Sequence, residues 1–235
     1  MSIMEIPEQE TDILRLDNRQ LCQLLRDQRD EIAAQHKAIV YALAKVSEAR
    51  ENGAARHFRN IRENCKILAM SLARSPEFEQ QIDDAFVERI EMASLLHDIG
   101  KISISDRILL KPGSLTSEER AIIETHAELG AKTLQEIADL GSGNQIMAMA
   151  VDIAYYHHER WDGTGYPKGL RGTEIPLAAR IMAVVDVYDS LVSERCYKPA
   201  YSHEESIRII QEESGKMFDP DIVAIVEKVQ RQLKQ

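Results

Sequence analysis

The stretch FEQQIDDAFVERIEMASLLHDIGK, Phe78 to Lys101, decides the fold. Ile82, Phe86, Ile90, Ala93 and His97 recur at steps of three and four residues, the period of one face of an α-helix. The apolar stripe therefore runs from Phe78 and ends on a histidine. Asp98 follows, Gly100 closes the helix, and Lys101 leaves a cation beside the pair. Adjacent residues at a helix end point about 100° apart, so His97 and Asp98 can serve two neighbouring ions, with Asp98 bridging.

The same pattern recurs on both sides. Arg56–Ala73 places His57, Ile61, Cys65, Leu68 and Leu72 on one face. A helix beginning at Leu115–Glu119 has Thr116 and Glu119 at capping-box spacing, and its inner face would hold Glu119, Ile122, Ile123 and His126, with Gly130 four residues on. Asn144–Glu159 presents Ile146, Ala150, Ile153 and His157. The helix after Pro176 presents Ala179, Met182, Ala183, Asp186 and Asp189. Ser202–Gln235 reads as two short helices around Gly215–Pro220. Alternation of the strand kind is sustained nowhere, so the fold class is all-α.

Before Gly53 there is no glycine, and Pro7 is the only proline. Ile13–Ser47 reads as one long helix in which Leu25, Ile32, Ile39 and Val46 recur at seven, with Asn18, Gln28 and Gln35 as polar interruptions. Two readings stand: a short coiled coil that dimerises the protein or connects it to a sensor, or an amphipathic helix lying on its own domain. Residues 1–50 form this element and residues 51–235 the remaining domain.

His57, His97, His126 and His157 each sit where an apolar stripe calls for a core residue. One such histidine is ordinarily satisfied by a neighbour. Four on separate helices, with His158 and inward carboxylates, would cost several kcal/mol if unpartnered. Metal ions remove that cost, and imidazole with carboxylate suits Fe, Mn, Zn or Ni rather than Ca or Mg.

The chain has 29 Lys and Arg against 39 Asp and Glu, a net charge of -10. That balance argues against polymeric nucleic acid and against an anionic membrane surface. Cys22, Cys65 and Cys196 are widely spaced and odd in number, which argues against a disulfide framework or a thiolate site. The acidic start shows no signal-peptide pattern, and the longest nearly apolar run, Ile146–Tyr156, contains Asp152. A cytoplasmic protein is the expectation.

With these motifs in order, the chain resembles the HD-GYP domain family, a subgroup of the HD phosphohydrolase superfamily that degrades cyclic di-GMP. The resemblance spans Glu51–Val229 and rests on HDIGK at 97–101, ILLKPGSLTSEE at 108–119 and His126. It continues with HHERWDGTGYPKGLRGTEIP at 157–176, ARIMAVVDVYDSL at 179–191, RCYKPAY at 195–201 and GKMFDPDIV at 215–223. It implies an HD-domain helical bundle with His57, His97, Asp98, His126, His157, His158 and Asp186 as metal ligands, Asp98 bridging. It implies phosphate contacts at Lys101, Arg195 and Lys198, a substrate contact or pocket-shaping role for Tyr166, and a supporting position for Asp189.

Some members carry a glutamate four residues before the first histidine, for a third metal. Here that position is Gly53, which favours two divalent ions, Fe or Mn first, with Zn or Ni as alternatives. Asp98 and Lys101 are then the catalytic pair. Water activated by the metals attacks the phosphodiester, giving pGpG and in some members GMP, and no Ser or Cys nucleophile is needed. Two other readings remain: an HD hydrolase for another cyclic dinucleotide or nucleotide, and a silent adaptor that binds diguanylate cyclases through Gly165-Tyr166-Pro167.

Overall fold

The computed structural model describes residues 17–48, 54–140, 144–194 and 200–234. Among them the helices are α1 (Asn18–Glu48), α2 (Ala54–Leu72), α3 (Asp84–Ala93), α4 (Asp106–Leu109), α5 (Ser117–Glu124), α6 (His126–Leu140), α7 (Gln145–Tyr156), α8 (Leu177–Val192), α9 (His203–Glu212) and α10 (Pro220–Val229). No β-strand occurs among the described residues, and the all-α expectation holds.

The chain divides into two units, Met1–Ile39 and Val40–Gln235. The described part of the first is the N-terminal stretch of α1, where no residue is buried. In the second, Val40 and Ala44 of α1 join a core built from Phe58, Ile61, Cys65 and Leu68 of α2, Ile90 of α3, Ile153 of α7, Ile181 and Met182 of α8, and Ile222 and Val226 of α10. On α1, α2 and α10 the core residues follow the helical step of three or four, one stripe per helix, whereas α8 is buried on every side from Leu177 to Val185.

Two expected helices differ. Phe78–His97 is not continuous. Asp83 caps a helix that starts later, its Oδ1 accepting from Phe86 N at 2.6 Å, and Phe78 and Ile82 are buried from turns instead. The helix ends at Ala93 and tightens into 3₁₀ turns at Ser94–Leu96 and Ile99–Ser103. Gly100 then packs closely against α6. A Cβ there would strike His126 O and approach Gly130 N to 2.6 Å, so the turn after His97 lies directly against the start of α6.

The segment from Thr116 onward likewise divides at Thr125 into α5 and α6. Its capping box is formed as expected, but Glu119 is drawn into an ion pair with Lys111 at 2.6 Å, and Ile122 is exposed rather than inward.

Candidate metal centre

Five imidazoles meet at the ends of four elements. His57 comes from α2 and His97 from the turn after α3. His126 opens α6, and His157 and His158 close α7. Ring centroids run 5.7 Å from His57 to His97, 5.4 Å to His157, and 4.0 Å from His157 to His158, with His126 5.0 Å from His158.

Backbone carbonyls fix three of the rings. Nδ1 of His97 lies 2.9 Å from Ser94 O, that of His126 2.7 Å from Ile123 O, and that of His157 2.9 Å from Ile153 O. A carbonyl oxygen only accepts, so each Nδ1 carries the proton and donates it. Nε2 then turns its lone pair inward. His57 is oriented by a carboxylate instead: Nδ1 is 2.6 Å from Oδ2 of the buried Asp189, whose Oδ1 accepts from Asn60 Nδ2 at 3.0 Å.

Asp98 lies among these nitrogens. Its Oδ1 is 3.2 Å from His126 Nε2 and 3.8 Å from His157 Nε2. Its Oδ2 is 3.2 Å from His97 Nε2 and 2.8 Å from Lys101 Nζ. Asp186 Oδ1 is 3.9 Å from His97 Nε2. Among the described residues, Nε2 of His97, His126 and His157, and Oδ1 of Asp98, are buried without a hydrogen-bond partner. Lone pairs aimed at one another in a dry site are costly, and a cation is what satisfies them together. The donor set therefore fits metal ions.

Two ligand groups are assembled, Asp98 with His126, His157 and His158, and His57 with His97 and Asp186, each with its donor atoms within 4.8 Å of one another. The tandem His157-His158 thus falls within a single group rather than dividing between two.

The electrostatics agree. Burial opposes a proton on His97, but Asp98 outweighs it and lifts the imidazole to about 9. In the absence of a cation, a proton is drawn to the same position. Burial pushes His157 down to about 4 and His158 well below its usual value. Asp98 is held well below the ordinary carboxylate range, Lys101 and His97 overcoming its burial.

Tyr166 is half-buried and stacks on His158, centroids 4.8 Å apart and planes 27° apart. Arg195 and Lys198 lie outside the described residues. Asp189 stands one turn beyond Asp186 on α8, against His57. Of the two remaining histidines, His36 is exposed, and His203 is half-buried with Nδ1 2.9 Å from the Tyr188 hydroxyl.

Several groups escape a reading by motif. Asn60 completes the Asp189 contact. Arg180 Nη1 and Asp219 Oδ2 form a buried pair at 2.6 Å. Glu159 is buried with both oxygens on backbone amides of the following loop. The signal available for Glu159 was its place, an acid just past the end of α7, immediately after two histidines and before a glycine-rich segment.

A family model for the HD domain matches residues 30–222. The chain belongs to the HD domain family. That agrees with the resemblance read from its motifs. It is 41% identical over 205 residues to a cyclic di-GMP phosphodiesterase of Vibrio cholerae, covering 87% of this chain and 42% of that protein. It is 37% identical to a 3′3′-cGAMP-specific phosphodiesterase 2 of the same organism, covering 81% of this chain and 34% of that one. The chain thus spans less than half the length of these two relatives. Among solved structures, Bd1817, an HD-GYP-type protein of Bdellovibrio bacteriovorus, superposes with a TM-score of 0.55 at 18% identity, covering 86% of this chain and 62% of the other, which is a likeness of fold. No helix among the described residues is long and apolar enough to cross a membrane.

Proposed function

We propose that this chain is a metal-dependent phosphodiesterase that opens cyclic di-GMP to linear pGpG. One observation carries the reading: two ligand groups meet at Asp98, whose two oxygens face different histidines, with Lys101 on the same carboxylate. The names of the relatives supply the substrate class.

In this reading His57, His97 and Asp186 would hold one ion, and Asp98, His126, His157 and His158 the other. The metal would be Fe or Mn, with Zn and Ni as alternatives. Divalent ions in such a pair supply an activated water and neutralise charge on the phosphodiester. The chain's own groups do the rest. Backbone carbonyls keep the Nδ1 protons in place, so that the Nε2 lone pairs need no reorganisation. Lys101 places a positive charge where phosphate oxygens would gather, and Arg195 and Lys198 would add theirs. Tyr166, held on His158, offers a flat face to a purine.

The test is a purified protein stripped by chelator and reloaded with Mn(II) or Fe(II). Linear pGpG and two ions per chain are expected. No linear product sinks the activity, and fewer than two ions sinks the paired site. The relatives named 3′3′-cGAMP-specific favour a second substrate, 3′3′-cGAMP, and a side-by-side assay ranks the two.

Val40 and Ala44 are buried in the core, whereas Leu25, Ile32, Ile39 and Val46 are 52–65% exposed. We propose that this second stripe pairs in parallel with another copy. Its seven-residue spacing and the β-branched Ile32, Ile39 and Val46 suit a two-stranded coil. Sedimentation of Ile32→Glu against the unaltered chain tests it: the unaltered chain should be dimeric and the variant monomeric.

A further inference from the structure

The loop after His157-His158 runs from Trp161 to Pro176 and carries Gly163, Gly165, Gly169 and Gly172, too many breakers for a continuous helix. It is nevertheless fixed. Glu159 is 2% exposed, an acid in the interior at the point where α7 has ended. Its Oε1 accepts from Lys168 N at 2.7 Å and its Oε2 from Leu170 N at 3.0 Å. Tyr166 N donates to His158 O at 3.3 Å. A Cβ on Gly165 would strike the backbone at His158, Glu159 and Arg160, so the loop folds flat onto the segment that carries the ligands.

The outer edge of the loop is tied elsewhere. Trp161 N donates to Met217 O at 3.2 Å and Asp162 N to Lys216 O at 2.8 Å. Arg160 Nη2 donates to Glu213 Oε2 at 3.1 Å. The GKMFDP turn, for which the proposed chemistry has no use, is thereby given work as the outer anchor.

Glu159 belongs to neither ligand group. Its carboxylate is spent on two amides that flank Gly169, directly after Tyr166-Pro167. We infer that Glu159 is a positioning residue: it sets the Tyr166 ring over His158 and so makes the site selective for a cyclic dinucleotide over a small phosphodiester. This rests on the phosphodiesterase reading above. A base needs the ring at a fixed height beside the ions, whereas a small diester needs only the ions. Misplacement by about 1 Å can cost on the order of a hundredfold in rate.

The experiment compares the unaltered chain with Glu159→Gln and Glu159→Asp, all loaded with Mn(II). Cyclic di-GMP and bis(p-nitrophenyl) phosphate are the two substrates. Metal content and amide hydrogen exchange at Lys168 and Leu170 are measured alongside. Gln offers one acceptor and presents an NH₂ to the second amide. In Glu159→Gln the ratio of kcat/KM for cyclic di-GMP to that for the small diester should fall at least tenfold, mainly through KM. Exchange protection at the two amides should be lost and metal content kept. Glu159→Asp keeps the charge on a shorter stem and should recover part of both. If Glu159→Gln does not fold, the Asp variant is read by the same measures. An unchanged ratio with unprotected amides overturns the inference, as does a loss of metal, which would make Glu159 a support of the cage. Failure of the phosphodiesterase reading is separate: it would appear as no turnover of cyclic di-GMP by the unaltered chain.

Discussion

Asp219→Asn isolates the buried pair that joins the GKMFDP turn to α8. The Asp219 and Arg180 side chains are 1% and 8% exposed, and their oxygen and nitrogen are 2.6 Å apart. Removing one partner of such a pair leaves the other charge uncompensated, typically at ~3–5 kcal/mol. Two features place this case at the lower end. Asparagine retains an oxygen for the cap of α10, where Asp219 Oδ1 accepts from Asp221 N at 2.9 Å. Arg180 retains its bond from Nε to Ile175 O at 2.9 Å and its place 5.9 Å from the Trp161 ring centroid. The expected loss is therefore about 3 kcal/mol. For a chain of this size that corresponds to a fall in Tm of roughly 6–12 °C. Urea unfolding followed by circular dichroism measures it, with metal present and after chelation. Arg180→Met and the double variant complete a cycle, in which the double variant should lose clearly less than the sum of the single losses. Additive losses, or a loss below about 1 kcal/mol for Asp219→Asn, would falsify the claim that this pair acts as a unit.

Three further outcomes follow from the same coordinates. Asp98→Ala should lower hydrolysis of cyclic di-GMP more than ~100-fold while the helical spectrum is kept, since even residues that support a ligand indirectly are worth 10–100-fold; retained turnover refutes the bridging role. Gly100→Ala should destabilise by about 3 kcal/mol and lower metal content, because its methyl has no room against the backbone of His126 and Gly130; normal stability and loading would show that the two turns can part. In the metal-stripped protein, His97 has a folded pKa of about 9 against 6.5 unfolded, so its contribution is complete below pH 6.5 and fades as pH rises to 9, up to about 3 kcal/mol. Urea midpoints across that window should fall, and a flat profile refutes the placement of Asp98 beside His97.

What could be read from the sequence was whatever periodicity controls. His57, His97, His126 and His157 were marked by their places in apolar stripes, although the helices expected to carry His97 and His126 are broken before them, and Thr116 and Glu119 announced their cap. Local spacing failed where tertiary packing decides. The helix ends before Ser94, and Gly100 then packs against Gly130, a contact between residues 30 apart that no local spacing announces. Ile122 holds a helical step but lies on a face that the described residues leave uncovered. His203 pairs with Tyr188 across a segment of 15 residues. Glu159 was marked only by its place after two histidines, and place alone does not tell a buried acid from a solvated one. Its partners are backbone amides 9 and 11 residues on, and amides leave no mark in a sequence.

The charge of the chain and the charge of the site point in opposite directions, and the geometry resolves them. A net charge of -10 is unsuited to a polyanion, which meets the whole surface. A small dianion would meet chiefly the cage and the groups beside it, where five imidazoles add no negative charge and Asp98 and Asp186 add two. In the two-ion reading four positive charges oppose those two carboxylates, and Lys101 adds a fifth at 2.8 Å from Asp98. Acidity outside and cations inside then act together. The exterior discourages nucleic-acid polymers, while the interior favours a short phosphodiester small enough to leave the exterior behind. Raising the salt concentration should weaken binding of a cyclic dinucleotide only modestly, because the charges it meets are enclosed and poorly screened. A steep salt dependence would instead place the substrate's phosphates on exposed lysines and arginines, and would remove the cage from substrate recognition.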